Sequence, residues 1–378
     1  MRRPGLAAFW SALDSSQRRT LGLMALVIAG LHVAGFATLV ALVPAHPSRL
    51  GTAGAFSVGI GFTAYTLGMR HAFDADHIAA IDNTTRRLAR EREAPVSVGL
   101  WFSLGHSTVV LALAGALAFG VHGLGGQVEN PGSQLHAAAG WVGTLASGGF
   151  LYLIAAFNMA ILVGIYRTLR RVHRGDYDEA ALERQLEMRG VMNRLLARVT
   201  RRVTRPSQMY PVGLLFGLGF DTATEIALLV LAAGAIGAGL PWYGVLSLPL
   251  LFAAGMSLLD SLDGWLMSNA YGWALDTPVR KVFYNLAVTG LSVAVAVLIG
   301  TIELGGLAAS KLHLVGGFWA WLENLDMNTL GFAIAGLFVG AWLVGLAAWR
   351  FGRIEDRWGA RLEPRSSAVG VASRGSGS

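Results

Sequence analysis

Long apolar runs separated by short polar stretches dominate the pattern of this chain. Each run is about 20 residues or longer, which is the length that an α-helix needs to cross the hydrocarbon core of a membrane. The pattern therefore predicts an all-α fold, a polytopic integral membrane bundle of about eight transmembrane helices. The predicted spans are residues 21–43, 54–81, 96–122, 140–166, 211–237, 242–270, 282–301 and 329–349.

Lys and Arg residues are concentrated in every second loop, beginning with the N-terminus and including the long loop between the fourth and fifth spans. Cytoplasmic loops of membrane proteins carry such an excess of basic residues. The alternation predicts that both termini are cytoplasmic and that the number of spans is even.

The same pattern divides the chain into one membrane domain and two flanks. Residues 1–20 are predicted to be a cytoplasmic N-terminus, 21–350 an eight-helix transport domain, and 351–378 a largely disordered cytoplasmic tail. The basic loop 167–210 contains apolar residues at helical spacing, which predicts an amphipathic helix. A solvated linker is an equal alternative for this loop.

The composition agrees with a membrane protein. Hydrophobic residues make up 54% of the chain and charged residues 14%, against about 25% charged in soluble domains. The net charge of +7 comes from loop arginines, so we expect a lipid bilayer and no nucleic acid as partner. The chain has no cysteine, which excludes disulfides and thiolate metal sites. No obligatory protein partner is evident.

Ionisable residues are concentrated at membrane depth in the second, third, fifth and sixth spans. Each such group costs at least about 2.5–3.5 kcal/mol to insert into the membrane, so each is expected to have a functional or structural role. We expect them to bind a metal ion. The candidate ligands are His71, Asp74, Asp76, His77, His106, Asp221, Glu225, Asp260 and Asp263.

Four of these candidates, one from each span, are predicted to lie at the same depth. His71, His106, Asp221 and Asp260 are each about ten residues from the cytoplasmic end of a span, or roughly 15 Å at the rise of an α-helix. Convergence from four helices predicts a single polar cavity.

The spacing within the second span predicts which side chains face that cavity. His71, Asp74 and His77 are three residues apart and would form one stripe on a continuous helix. Asp76 would point elsewhere on an ideal helix. It could join the site only where the helix is unwound, or it could orient a ligand from behind.

The residue types indicate a borderline first-row metal. Imidazole binds Ni, Co, Zn, Cu and Fe, whereas carboxylates alone would suit Mg, Ca or Mn. Several carboxylates also create the negative field that attracts a dication. The affinity of such ligands for divalent metals does not by itself distinguish nickel from cobalt or zinc as the bound ion.

Structural roles are alternatives for some of the polar residues. Asp74 could form an ion pair with Arg70, and His32, which is alone in its span, is predicted to be a hydrogen-bonded packing residue. Packing or membrane orientation is predicted for Met256, Met267, Asp82, Arg86 and Arg87.

The motifs at these positions resemble the nickel/cobalt transporter family (NiCoT). RHAFDADHI contains the family's His-x4-Asp-His signature as His71, Asp76 and His77, and FSLGHSTVV, LGFDTATE and GMSLLDSLDG are similar to its other signatures. One departure is Ser261, where the family pattern has Thr. The resemblance implies a high-affinity, low-capacity permease for Ni²⁺ or Co²⁺ in a prokaryotic cytoplasmic membrane. It also implies that the three signature residues are needed for uptake.

A transporter of this kind needs neither a cofactor nor its own ATPase, and no nucleotide-binding motif is present. The ion would be the substrate, and alternating access would carry it across the inner membrane. Two other classes stay open. One is a membrane-embedded metalloenzyme with Glu225 as general base. The other is a proton-conducting or sensing protein without metal.

Overall fold

The protein is described by a computed structural model, which covers residues 14–45, 58–90, 95–119, 133–173, 203–219, 223–237, 241–275, 278–314, 316–323 and 325–352. Eleven α-helices and no strand occupy these residues, so the predicted all-helical fold is confirmed. The amphipathic helix expected in the loop 167–210 and the disordered tail both fall largely outside the described residues. The predicted domain boundaries therefore stay predictions.

The helices are numbered here in chain order. They are α1 Ser15–Ala45, α2 Val58–His71, α3 Ala75–Arg90, α4 Val98–Ala118, α5 Gln134–His173, α6 Met209–Phe216, α7 Ala223–Gly237, α8 Trp242–Leu275, α9 Pro278–Leu312, α10 Gly317–Glu323 and α11 Met327–Gly352.

Five stretches of helix are individually long and apolar enough to cross a membrane. They lie in α1, α4, α5, α8 and α9, and shorter apolar stretches occur in α7 and α11. The short helix α10 was not predicted. The count of eight spans stays a prediction, because two of the spans are formed by pairs of shorter helices.

The second and fifth predicted spans are not continuous helices, and this part of the prediction is wrong. The second span is divided into α2 and α3. The fifth is divided into α6 and α7, with a 3₁₀ turn at Gly217–Gly219 extending the end of α6. Helices that are interrupted at membrane depth are stable only where neighbouring protein satisfies the freed backbone groups.

Helices α4 and α8 form the centre of the bundle, and α1 lies at its edge. In their most apolar stretches 67% and 72% of the residues are buried, compared with 17% in α1. Large apolar side chains such as Leu26 and Val33 of α1 are exposed, as expected for a surface that faces lipid. α8 packs against α1, α2, α3 and α4. The two broken spans therefore pack around the buried centre.

Candidate metal centre

The break in the second span creates the backbone of the site. α2 ends at His71, residues 72–74 form a turn, and α3 begins at Ala75. The amide of Asp74 donates to the carbonyl oxygen of His71 (2.8 Å), and the carbonyl oxygen of Asp74 accepts from the amide of Ile78 (3.2 Å). Asp74 thus closes the end of one helix and caps the start of the next.

The prediction that His71, Asp74 and His77 lie on one continuous helix is wrong, because the helix is interrupted between them. The turn nevertheless keeps the three side chains together. The two imidazole rings are 4.6 Å apart, and Asp74 Oδ2 lies 3.5 Å from His71 Nδ1. All three residues are 1% exposed.

A third histidine reaches the same place from α4. The ring of His106 is 4.7 Å from that of His71 and 4.9 Å from that of His77. One nitrogen from each of the three rings can be chosen so that all three lie within 4.8 Å of one another. The three histidines therefore form a compact, buried cluster between the broken span and α4.

Carboxylates from α7 and α8 complete this cluster. Glu225 Oε1 lies 2.6 Å from His106 Nε2 and 3.9 Å from His71 Nε2. On the other side, Asp260 Oδ2 lies 3.5 Å from His77 Nδ1. Glu225 is 2% exposed and Asp260 1% exposed. The structure thus brings together residues from the second, third, fifth and sixth predicted spans.

The spacing of these atoms suits a single first-row dication. Ligand atoms that are each about 2.0–2.1 Å from one ion lie roughly 2.8–3.4 Å from their neighbours in octahedral or tetrahedral geometry. The Nε2 atoms of His71 and His106 are 3.0 Å apart, and Glu225 Oε1 is within 2.6–3.9 Å of both. Small shifts of these side chains would place His71 Nε2, His106 Nε2 and Glu225 Oε1 around one ion.

Several buried polar atoms of the cluster have no hydrogen-bond partner within the described part of the chain. They include both ring nitrogens of His77, Nδ1 of His106, and both carboxylate oxygens of Asp74 and Asp260. Buried polar atoms in proteins are nearly always hydrogen-bonded. So many exceptions in one place indicate groups that are kept available for an ion.

Thr224 orients one of the histidines and was not among the site residues predicted from the sequence. Its Oγ1 lies 3.0 Å from His71 Nδ1. A hydrogen bond at Nδ1 fixes the ring and, if Nδ1 carries the proton, leaves the lone pair of Nε2 for the ion. The signal in the sequence was a hydroxyl residue next to Glu225 in an apolar segment.

The remaining candidate ligands are placed differently. Asp76 is half-buried in the first turn of α3, and its Oδ1 accepts a hydrogen bond from the backbone amide of His77 (2.8 Å). Asp263 is half-buried one turn beyond Asp260. Asp221 lies outside the described residues. Arg70 is exposed, so the alternative ion pair between Arg70 and Asp74 is not formed.

Three charged residues for which membrane orientation is predicted are buried within the bundle. Asp82, Arg86 and Arg87 are 0%, 2% and 8% exposed. Arg86 Nη2 donates to Asn83 Oδ1 (2.8 Å), which also accepts from Asn158 of α5 (2.9 Å). This network joins α3 to α5 and was missed, because isolated Asn residues carry little signal in a sequence.

The predicted structural roles of His32, Met256 and Met267 agree with the structure. His32 Nδ1 donates to the carbonyl oxygen of Ile28 (2.8 Å), and Nε2 lies 3.2 Å from the Tyr65 hydroxyl. Met256 is fully buried in the apolar core, and Met267 packs against a second apolar cluster. None of the three belongs to the histidine cluster.

Comparison with known proteins decides the family of this chain. Residues 57–348 match a family described as high-affinity nickel-transport protein. The chain belongs to this nickel-transport family. That membership confirms the resemblance inferred from the motifs, and the family is one of transporters, not of enzymes.

Individual members of the family match most of the chain. The nickel transporter NicT of Mycobacterium tuberculosis is 56% identical over 92% of this chain and 93% of its own length. The nickel transporter NixA of Staphylococcus aureus is 47% identical over 79% of this chain and 88% of its own. The cobalt transport protein NhlF of Rhodococcus rhodochrous is 40% identical over 88% and 92%. No solved structure matches the chain.

Proposed function

We propose that this nickel-transport family member is a secondary permease that takes up Ni²⁺, Co²⁺ or both across the cytoplasmic membrane of a prokaryotic cell. The observation that carries the proposal is the buried cluster of His71, His77 and His106 beside Glu225. Relatives named as nickel transporters and one named as a cobalt transporter support the choice of ion.

The donor set supports a nickel-like ion over a hard cation. Three imidazoles are ligands for late first-row metals, and Mg²⁺ or Ca²⁺ would require oxygen ligands almost alone. Glu225 and Asp260 supply negative charge that offsets part of the charge of the dication in a low-dielectric site. Cobalt fits the same ligands, so we expect the two ions to compete.

The chain itself supplies binding, orientation and exclusion of water. His71 is held by Thr224, so this histidine is positioned before the ion arrives, and Asp260 lies next to His77. The ion sheds water as these groups replace its hydration shell. Release requires the helices to separate the histidines from the carboxylates, which the breaks in the second and fifth spans allow. No cofactor and no protein partner are required.

Nickel uptake by purified protein in lipid vesicles tests this function. His77→Ala removes one of the three imidazoles and is expected to lower the initial rate of uptake by about tenfold or more. His32→Ala is the matched control, since His32 lies outside the cluster and serves packing. It is expected to transport at the wild-type rate.

Competition in the same assay tests the substrate. Excess Co²⁺ should suppress nickel uptake by the wild type, whereas excess Mg²⁺ should leave it unchanged. Equal nickel uptake by wild type and His77→Ala would show that the cluster is not the transport site.

A further inference from the structure

Two parts of the described chain repeat the same pattern. Helices α2 and α6 both contain Tyr-x-x-Gly, at residues 65–68 and 210–213. Both helices end three residues after the glycine, at His71 and at Phe216. Each is therefore interrupted at the same point of its pattern.

Burial follows the same order in these two helices. Residues 64–71 and 209–216 pass, position by position, through the same succession of buried, half-buried and exposed side chains. Most of the side chains at matching positions differ, so the agreement reflects equivalent packing of the two helices.

The resemblance continues beyond each break. Both connecting sequences contain Phe-Asp, and α3 and α7 both begin with Ala-x-x-Ile-Ala. In this alignment His77 corresponds to Glu225. The next long helices, α4 and α8, share Phe-x-x-Gly-x-Ser at residues 102–107 and 252–257.

The repeated glycines make reciprocal contacts between the two parts. A Cβ atom on Gly68 would overlap the backbone carbonyl oxygen of Phe252, and a Cβ atom on Gly213 would overlap that of Phe102. The first helix of each part thus crosses the last helix of the other part at backbone contact. Each crossing uses the same two positions of the pattern.

The glycines of α8 and α4 make equivalent contacts in the same two crossings. A Cβ atom on Gly255 would overlap the carbonyl oxygen of Tyr65, and a Cβ atom on Gly105 would overlap that of Tyr210. Four contacts therefore form two equivalent pairs. Because sequence pattern, burial and contacts all agree, helices α2–α4 and helices α6–α8 are two structural repeats.

The repeats are related by an approximate two-fold axis between α4 and α8. These helices run antiparallel, since Gly99 lies against the carbonyl of Asp260 and Ser103 Oγ donates to Ser257 Oγ (3.0 Å) further along. In this register the glycines of the Phe-x-x-Gly-x-Ser motifs lie opposite each other. The predicted topology starts one repeat outside the membrane and the other inside, so the repeats are inverted.

Two equivalent phenylalanines border the histidine cluster. The ring of Phe252 lies 5.5 Å from that of His71, and the ring of Phe102 lies 4.7 Å from that of His77. Both phenylalanines are fully buried. Each is three residues from the level of the two-fold axis, so their backbones are roughly 9 Å apart along the antiparallel helices.

We propose that Phe252 and Phe102 are the outer and cytoplasmic gates of the ion path, related by the internal two-fold axis and opened alternately. This inference rests on the proposed transport function. The basic-residue pattern assigns α2 and its crossing with Phe252 to the outer half, and α6 and its crossing with Phe102 to the cytoplasmic half. The phenylalanine side chain on each side of the histidine cluster excludes water until the helix crossing on that side opens.

Each gate packs into a separate apolar region, which allows independent opening. Phe102 contacts Phe216 edge-on, with ring centroids 5.1 Å apart, in a cluster with Met209. Phe252 belongs to a different cluster that includes Leu39 and parts of α7 and α8. Movement of α6 against α4 would free the first ring without disturbing the second.

The natural absence of cysteine makes the gates directly testable. Phe252→Cys and Phe102→Cys each introduce a single thiol, which is probed with a membrane-impermeant thiol reagent in right-side-out and inside-out vesicles. We expect Phe252→Cys to react about tenfold or more faster from the outer face than from the cytoplasmic face, and Phe102→Cys to show the reverse preference, because each thiol is reached only while its own gate is open. Phe338→Cys, a buried position of α11, is the control and should react from neither face.

A second measurement covers the case in which a cysteine variant folds poorly. Phe252→Leu and Phe102→Leu keep an apolar plug and should retain nickel uptake, whereas the corresponding alanine variants should leak preloaded nickel. Labelling of both thiols from the same face, or of neither from any face, overturns the gates. Wild-type nickel uptake in the same vesicles reports the transport function separately.

Discussion

Thr224 shows how a single uncharged side chain contributes to the histidine centre. Its hydroxyl lies 3.0 Å from Nδ1 of His71, and Asp74 lies 3.5 Å from the same nitrogen. The hydrogen bond to Thr224 fixes the orientation of the ring, and the opposite nitrogen faces His106. Residues that orient ligands in this way often matter nearly as much as the ligands.

Thr224→Val should therefore raise the KM for nickel uptake by about 10–100-fold, because the ring of His71 loses its hydrogen bond while the volume is kept. Thr224→Ser retains the hydroxyl and should stay close to the wild type. The measurement is the concentration dependence of uptake by both variants in vesicles. Equal KM values for the valine and serine variants would contradict an orienting role.

The candidate ligands could be predicted from the sequence, but their local geometry could not. Ionisable residues are rare in apolar segments, so His71, His77, His106 and Glu225 stand out without any structure. The contacts that bring them together depend on the break in the second span. That break involves Ala72 and Phe73, which are not helix breakers, and the sequence therefore predicted a continuous helix.

At the scale of helices, α11 stabilises this break. A Cβ atom on Gly331 would overlap the backbone carbonyl oxygen of Phe73, and the rings of Phe73 and Phe332 stack with centroids 4.5 Å apart. The turn is thus held by a distant part of the chain, which no local pattern reveals. In the fifth span, by contrast, Gly217 and Gly219 were a local signal for interruption.

Gly331→Ala should disturb the turn, because the added methyl meets backbone that cannot rotate away. Overpacking of this kind costs roughly 1–3 kcal/mol. We expect a lower apparent Tm in detergent and slower nickel uptake. Gly336→Ala, on the same helix with open space around it, is the matched control and should be neutral. Equal behaviour of the two variants would show that α11 does not hold the break.

At the scale of the whole molecule, the bundle has a buried centre and an exposed apolar edge. The central helices α4 and α8 are mostly buried, while α1 exposes apolar side chains. The overall class, the positions of most helices and the family could all be predicted from run length and motifs. The internal repeat could not, because its shared residues are few and become visible only through the reciprocal contacts.

A dication that crosses such a bundle responds to the membrane potential. Each elementary charge gains about 2.3 kcal/mol per 100 mV, so Ni²⁺ gains about 4.6 kcal/mol. Collapse of an inside-negative potential with a potassium ionophore should therefore reduce nickel accumulation strongly. Undiminished accumulation in depolarised vesicles would contradict a route driven by the potential.

The central claim, that one transported ion is held by the buried histidines, is tested most directly by X-ray absorption on nickel-loaded protein. The expected spectrum contains two or three imidazole nitrogens and carboxylate oxygens at about 2.0–2.1 Å from nickel. His106→Ala should lose one nitrogen from this shell. A shell of oxygen atoms alone, unchanged in the variant, would contradict the account.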